Sequence, residues 1–162
     1  MKKFVLIFVA ILMVGCMNDC FAQTFVDLGL SSGTKWSTSN VKVFHKFEDA
    51  NDLFGYKMPS KAQWRELISE CEWTWVKGKN AGYRVTGPNG RSIFLPAAGY
   101  RDCYGDVHDV GEGGGYWSGT EYKHYTLFND YEGGYLLQFD SSEVEVVWGE
   151  YCKGRSVRLV QN

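Results

Sequence analysis

Residues 55–67 read Gly-Tyr-Lys-Met-Pro-Ser-Lys-Ala-Gln-Trp-Arg-Glu-Leu, and this stretch predicts where a helix begins. Pro59 has no backbone N–H and disfavours helical geometry at the residue before it, so the helix starts after it. Ser60 stands at the N-cap position and Gln63 follows three residues later, which is the spacing of a capping box. In that motif two side chains accept hydrogen bonds from backbone N–H groups that the first turn leaves free. We therefore expect a helix that begins at Lys61.

The expected helix is amphipathic. Its apolar residues recur at intervals of three, four and seven positions, namely Trp64, Leu67, Ile68 and Cys71. Charged residues occupy the opposite face, and such an apolar stripe normally packs on a hydrophobic core. The pattern predicts one main amphipathic helix over residues 61–71 and a buried, unreactive thiol at Cys71.

The N-terminus has the pattern of an export signal. Lys2 and Lys3 precede an apolar run of about a dozen residues that ends near Gly15. That run is too short to cross a bilayer, which requires roughly 20 apolar residues. No later segment is comparably apolar, so we expect an exported protein without an integral membrane span.

Two processing sites compete in this region. Cleavage after Ala22 would make residues 1–22 an ordinary signal peptide. The alternative is a lipoprotein signal over residues 1–15, with Cys16 as the lipidated first residue. Both leave a single domain at 23–162, located in the periplasm, on the outer-membrane surface or in the medium. Membrane attachment is expected only if Cys16 is lipidated.

Composition narrows the classes of partner and of site. The formal net charge of −2 lacks the basic excess that nucleic-acid binding requires, so no nucleic acid is expected. The cysteines beyond the signal are Cys71, Cys103 and Cys152, and an odd number leaves at least one unpaired within the chain. Pairing of Cys103 with Cys152 stays open at this point. No Cys-x-x-Cys occurs and the three histidines are scattered, which argues against a zinc or thiol-redox site.

The remainder of the chain is dominated by strand patterns. Short segments with alternating or β-branched residues, separated by turns, predict strands at 24–30, 35–43, 72–76, 82–86, 91–95, from 116 onward, 135–139, 144–148 and 156–160. Residues 97–115 are rich in glycine and show no periodicity, and residues 121–134 are polar, aromatic and expected to be irregular. The chain is therefore predicted to be α+β, with a mostly antiparallel sheet, one main helix and long irregular loops.

The glycine-rich loop is the candidate binding surface, because a long loop on a compact scaffold commonly carries function. A glycan or a surface protein would suit its aromatic and polar side chains. The expected ligand contacts in or next to the loop are Tyr100, Arg101, Tyr104, Asp106, His108 and Tyr116, and a second wall is expected from Tyr122, Tyr125 and Tyr131.

The same loop contains acidic residues that are weak candidates for calcium ligands. They are Asp102, Asp106, Asp109 and Glu112. Calcium requires six to eight oxygen ligands, and the spacing of these acids does not match an EF-hand. We therefore predict no cofactor, with calcium as the one alternative.

Five segments, taken in order, resemble the Fibrobacter succinogenes major paralogous domain, a family common in exported proteins of Bacteroides-like bacteria. They are Val26–Trp36, Met58–Trp64, Gly87–Gly99, Tyr116–Ser118 and Gly154–Val160. The Pro-Ser-x-x-x-Trp helix start and the closing Gly-Arg-Ser-Val-Arg-Leu-Val also resemble the formylglycine-generating enzyme group. That second resemblance implies a C-type-lectin-like fold. The enzymes of the group use a pair of copper-binding cysteines, but neither Cys103 nor Cys152 lies in a matching motif, so catalysis is not carried over.

These observations favour an exported, non-catalytic module that binds a glycan or a surface protein. No assembled set of nucleophile, base and metal ligands is present in the sequence, so no catalytic residue is assigned. One alternative is an enzyme related to the formylglycine-generating group that uses Cys103 or Cys152. The other is a structural subunit of a cell-surface assembly.

Overall fold

The computed structural model describes residues 23–127 and 130–162. The expected export signal, its cleavage after Ala22 and the lipidation candidate Cys16 lie outside these residues. The described chain is α+β, with two short helices and strands that pair antiparallel in every sheet. Neither helix of the described ranges has the length and the apolar character needed to cross a bilayer.

The helices are α1 (Phe47–Phe54) and α2 (Lys61–Glu70), with a 3-10 turn at Gly55–Lys57 between them. The strands are β1 (Phe25–Asp27), β2 (Lys35–Asn40), β3 (Glu72–Val76), β4 (Gly82–Thr86), β5 (Ser92–Pro96), β6 (Tyr100–Arg101), β7 (Val107–His108), β8 (Gly113–Tyr125), β9 (Asp130–Asp140), β10 (Val144–Glu150) and β11 (Arg158–Gln161).

Three three-stranded sheets and one small hairpin make up the described strands. Their orders are β1-β2-β11, β3-β4-β5 and β10-β9-β8, and the hairpin is β6-β7. The third sheet, which we call the ribbon, contains the two longest strands, of 13 and 11 residues. Its residues 121–127 and 130–132 are mostly exposed.

The capping box at the start of α2 is confirmed. The Ser60 hydroxyl accepts from the Gln63 backbone N–H at 3.2 Å, and the Gln63 Oε1 accepts from the Ser60 N–H at 2.8 Å. Trp64 and Leu67 are fully buried, as the amphipathic pattern predicts. The indole N–H of Trp64 donates to the Trp117 carbonyl at 3.3 Å, so α2 is fixed on the ribbon.

The ribbon separates two hydrophobic cores, because both of its faces are covered in its central part. On one face, Tyr116, Leu137 and Phe139 pack with α2 and the sheet β3-β4-β5. On the other face, Trp117 and Leu136 pack with α1. Consecutive residues of β8 therefore point into different cores, as the period-two geometry of a strand requires.

The prediction of an irregular segment over 121–134 is wrong. Residues 121–125 of β8 pair in continuous register with residues 130–134 of β9. Since both faces of this part are largely exposed, its side chains show no alternation of apolar and polar types, and that alternation is the signal that identifies a strand. The loop 97–115 likewise contains a short hairpin, β6-β7, which its glycine content hides.

Candidate functional site

Asp102 organises the tip of the β6-β7 hairpin. Its Oδ1 accepts from the backbone N–H groups of Tyr104, Gly105 and Asp106, each at 2.9 Å. Its Oδ2 lies 2.9 Å from His108 Nε2. The hydrogen bond from His108, and then those from the backbone, hold the pKa of the Asp102 carboxyl below its usual range. Both oxygens of the Asp102 carboxylate are therefore already hydrogen-bonded within the hairpin.

The four acids expected as calcium ligands do not converge. Within the described ranges, the one group of possible ligand atoms that lie within 4.8 Å of one another comprises Cys103, Glu150 and Cys152. The two sulfurs of that group are joined in a disulfide, and Glu150 pairs with Lys153 at 3.3 Å. Among the described residues, these groups do not assemble into a binding site for a metal or a cofactor.

The disulfide Cys103–Cys152 ties the hairpin to the segment that precedes β11, with 5.0 Å between the two Cα atoms. Next to it, Arg101 and Gly154 exchange two backbone hydrogen bonds of 2.8 Å each. Cys71 is the free cysteine of the described chain and is half-buried. Burial is the main cause that raises the pKa of its thiol to about 11, so the thiolate is scarce at neutral pH.

A polar cleft of about 460 Å³ lies between this hairpin and the ribbon, and we call it the Arg155 cleft. Its floor is the glycine run Gly113–Gly114 at the start of β8, together with the end of β9. The side chains that line it include Tyr100, Asp109, Glu112, Gln138, Lys153 and Arg155. Tyr100, Asp109 and Glu112 were expected in a site from the sequence, and the other three were not.

Arg155 is the unusual residue of this cleft. Its side chain is only 6% exposed, and its guanidinium carbon lies 4.5 Å from the centre of the Tyr100 ring. Its Nε is buried and has no hydrogen-bond partner among the described residues. A Cβ at Gly115 would lie 2.6 Å from Nη1, so this glycine makes room for the guanidinium. Burial lowers the pKa of Arg155 below its ordinary value.

The other predicted loop contacts take different positions. His108 stacks on Tyr100 with 5.3 Å between ring centres, whereas Arg101, Tyr104 and Asp106 are exposed and do not line the cleft. Tyr104 is 95% exposed, and no aromatic ring packs on it among the described residues.

Tyr116 lies in the core and not on the binding surface where the sequence places it. Its ring is fully buried, its hydroxyl donates to the Pro96 carbonyl at 2.6 Å, and it accepts from the Asn40 amide at 3.0 Å. Burial is the main cause that raises its pKa to about 12. The physical reason for the difference is that β8 is covered on both faces at this point, which the local sequence does not reveal.

A second surface lies at the far end of the ribbon, and we call it the aromatic face. It consists of Tyr122, His124, Tyr131, Tyr135 and Trp148. The rings of Tyr122 and Trp148 stack at 4.9 Å with 15° between their planes, and Tyr131 meets Trp148 edge to face at 6.0 Å. Trp148 is 40% exposed and Tyr131 is 42% exposed, so the cluster is open to solvent.

The aromatic face is a continuation of the core-facing side of the ribbon. Tyr135 has the same parity in β9 as Leu137, which packs against α2. The ammonium of Lys61, at the first position of α2, lies 3.4 Å from the centre of the Tyr135 ring. Helix α2 thus covers this side of the ribbon up to Tyr135, and no described element covers it beyond.

Gly133 allows the rings of Tyr122 and Trp148 to meet across β9, the middle strand of the ribbon. It pairs with Tyr122 of β8, and its position in β9 lies between the two stacked rings. A Cβ here would collide with the Gly149 carbonyl oxygen and would lie 3.4 Å from the Trp148 ring. A glycine at this position therefore keeps Tyr122 and Trp148 in contact.

The predicted second wall is divided between two faces and lies far from the loop. Tyr122 and Tyr131 point to the aromatic face, whereas Tyr125 lies on the opposite face, where its hydroxyl donates to Glu132. Along β9, Tyr131 and the Phe139 backbone of the cleft are separated by eight residues, about 25 Å of extended strand. The loop and the aromatic segment therefore form two separate surfaces.

Sequence reasoning did not find Trp148, Tyr135, Lys153 or Arg155. Trp148 follows the alternating Val144 and Val146, and parity alone assigns it to the core. The loss of cover beyond α2 is a tertiary property that no local signal carries. Compared with protein-family models, with curated proteins and with solved structures, this chain matches none of them.

Proposed function

We propose that the chain is an exported, non-catalytic binding module with a C-type-lectin-like fold, and that its ligand is a glycan. The observation that carries this proposal is the aromatic face, where tyrosine, histidine and tryptophan rings lie uncovered next to α2. Membership of the Fibrobacter succinogenes major paralogous domain and a location in the periplasm, on the outer-membrane surface or in the medium are parts of the same proposal.

The chemistry of the aromatic face suits a carbohydrate. Sugar rings present C–H groups on one side, which pack on aromatic faces, and hydroxyls at the rim, which require hydrogen-bond partners. Tyr122, Tyr131 and Trp148 supply both an aromatic surface and polar atoms, and His124 and Lys61 add donors at its edge.

The test is a binding screen of the purified protein on immobilised oligosaccharides, followed by titration of the best binder in solution. Trp148 is the one tryptophan of the described chain that is more than a third exposed, so its fluorescence reports on this face. We expect a bound oligosaccharide to shift that fluorescence and to protect it from a soluble quencher. By calorimetric titration, which needs no tryptophan reporter, we expect Trp148→Ala and Tyr131→Ala each to weaken binding about tenfold, which corresponds to ~1.4 kcal/mol.

The matched control is Tyr125→Ala, because Tyr125 is 61% exposed on the same hairpin but belongs to the opposite face. It should leave the affinity unchanged. Equal losses in the Tyr125 and Tyr131 variants would contradict the assignment to this face. Binding to proteins with no binding to any oligosaccharide would refute the glycan proposal.

A further inference from the structure

The Arg155 cleft contains a buried cation whose hydrogen-bonding capacity is largely unused. A guanidinium has five N–H donors, and burying a charge without partners is strongly unfavourable. Among the described residues, Arg155 contacts the Tyr100 ring and is attracted by the charges of Asp109 and Glu150, but its side chain makes no hydrogen bond and no ion pair, and its buried Nε has no partner. A buried polar group left in this condition in a native protein calls for an explanation, and a ligand supplies one.

The surroundings of Arg155 fix its orientation. The Tyr100 ring is held between His108 and the guanidinium, at 5.3 Å and 4.5 Å. The backbone of Gly115 lies directly against the guanidinium, and the disulfide Cys103–Cys152 ties the hairpin to the segment that carries Arg155. The planar donor fork is therefore pre-positioned, which favours a planar acceptor with two oxygens.

The charges around the cleft restrict the ligand further. Lys153 places a second ammonium near Tyr100, at 5.9 Å from the ring centre, although it also pairs with Glu150. Asp109 and Glu112 also line the cleft, and their negative charge would repel a ligand with a second anionic group. The same carboxylates, together with Gln138, accept hydrogen bonds from hydroxyl groups. Asp140 also lines the cleft, and its Oδ1 already accepts from the Ser142 and Glu143 backbone N–H groups and from the Ser142 hydroxyl.

We infer that the Arg155 cleft binds a sugar acid, a small polyhydroxylated molecule with a single carboxylate. The carboxylate lies on Arg155 with support from Lys153, and the hydroxyls contact Gln138, Asp109 and Glu112. The cleft volume of about 460 Å³ is within the usual range for small-ligand sites. This site is about 25 Å along β9 from the aromatic face and does not rest on the function proposed for that face.

The test is a calorimetric titration of the purified protein at pH 7 and fixed ionic strength with three probes. D-glucuronate and D-glucose differ only at C6, which is a carboxylate in the first and a hydroxymethyl group in the second, and inorganic phosphate is an anion without the hydroxylated ring. We expect glucuronate to bind at least tenfold more tightly than glucose and more tightly than phosphate. We also expect glucuronate to shift the NMR signal of the Arg155 Nε–H.

Variants separate the role of Arg155 from that of net charge. Arg155→Met should weaken glucuronate binding at least tenfold. Arg155→Lys should retain part of the affinity, because the ammonium keeps the positive charge but lacks the planar pair of donors. Arg84→Met, an exposed arginine on β4 outside the cleft, is the matched control and should have no effect. Equal affinity for glucuronate and glucose, tighter binding of phosphate, or unchanged binding in both Arg155 variants would overturn the inference. If Arg155→Met does not fold, Arg155→Lys and the Nε–H signal still decide it.

Discussion

The surroundings of Arg155 and Arg158 differ in one respect, although the two arginines are three residues apart and both are buried. Arg158 donates from Nη1 to the Ser37 carbonyl at 2.8 Å and from Nη2 to the Phe94 carbonyl at 2.5 Å. Arg155 has no such acceptor among the described residues and opens into a cleft. Burial alone therefore does not make a charged residue structural, because the hydrogen-bond acceptors around it decide its role.

Arg158 completes the fold at a junction between sheets. Ser37 belongs to β2 and Phe94 to β5, so one guanidinium joins the sheet β1-β2-β11 to the sheet β3-β4-β5. Its Nε also has no hydrogen-bond partner among the described residues, and burial lowers its pKa to about 10. Two charge-assisted hydrogen bonds offset that penalty at Arg158, whereas Arg155 has only the through-space attraction of Asp109 and Glu150 and the contact with Tyr100.

The largest effect should come from releasing the segment that contains Arg155. Replacing both Cys103 and Cys152 by Ser opens a covalent loop with a sequence separation of 49. Loss of that constraint on the unfolded chain should lower the free energy of unfolding by about 4 kcal/mol. Urea denaturation at pH 7 measures it. The matched control, Cys71→Ser, changes the free cysteine and should stay within about 1 kcal/mol. A double variant as stable as the parent would show that the disulfide does not constrain the fold.

A smaller but clear loss is expected for Arg158→Met. The change leaves the carbonyls of Ser37 and Phe94 without their donor in the core, and we expect a loss of about 3 kcal/mol. The midpoint and slope of urea unfolding measure this loss. Arg158→Lys should lie between the parent and the Met variant, because an ammonium does not reproduce the spacing of the two donors. An unchanged midpoint for Arg158→Met would remove the distinction between the two arginines.

The smallest effect on stability is expected for Arg155→Met in the absence of ligand. The variant loses the contact with Tyr100 and the attraction by Asp109 and Glu150, but it also loses the cost of burying a charge that makes no hydrogen bond, so the free energy of unfolding should change by less than about 1 kcal/mol. The same urea series, run beside the Arg158 variant, gives the comparison directly. A loss as large as that of Arg158→Met would mean that Arg155 is a structural residue.

The contrast between the two arginines also marks the limit of sequence reasoning for this chain. The start of α2 was predictable, because Ser60 and Gln63 interact with backbone groups within one turn. Strands β3 and β4 were predictable from alternation and turns, with the bounds that the structure has. Arg155 and Arg158 stand in one motif, and only residues more than 30 positions away, such as Ser37 and Phe94, distinguish them.

The same limit explains the two changes to the predicted site. Tyr116 is buried because α2 and the sheet β3-β4-β5 cover that face of β8, and Trp148 is exposed because α2 begins at Lys61 and leaves the face beyond open. The burial of Tyr116 and the exposure of Trp148 both depend on where the elements that cover the ribbon end. Composition and periodicity identify a strand or helix but do not show how far a neighbouring element covers it, so they do not reveal which of the two residues is buried.

The placement of Tyr116 and Trp117 on opposite sides of β8 has a consequence for folding. Each of the two cores uses the ribbon as a wall, so neither is complete until β8 and β9 have paired. Glu121 and Gly134 are close along the chain, whereas Gly113 and Asp140 are farther apart. Because local contacts form most readily, pairing of β8 with β9 can begin near Glu121 and Gly134 and proceed toward the cores. The wall couples the two halves of the domain, and they should gain and lose structure as one cooperative unit.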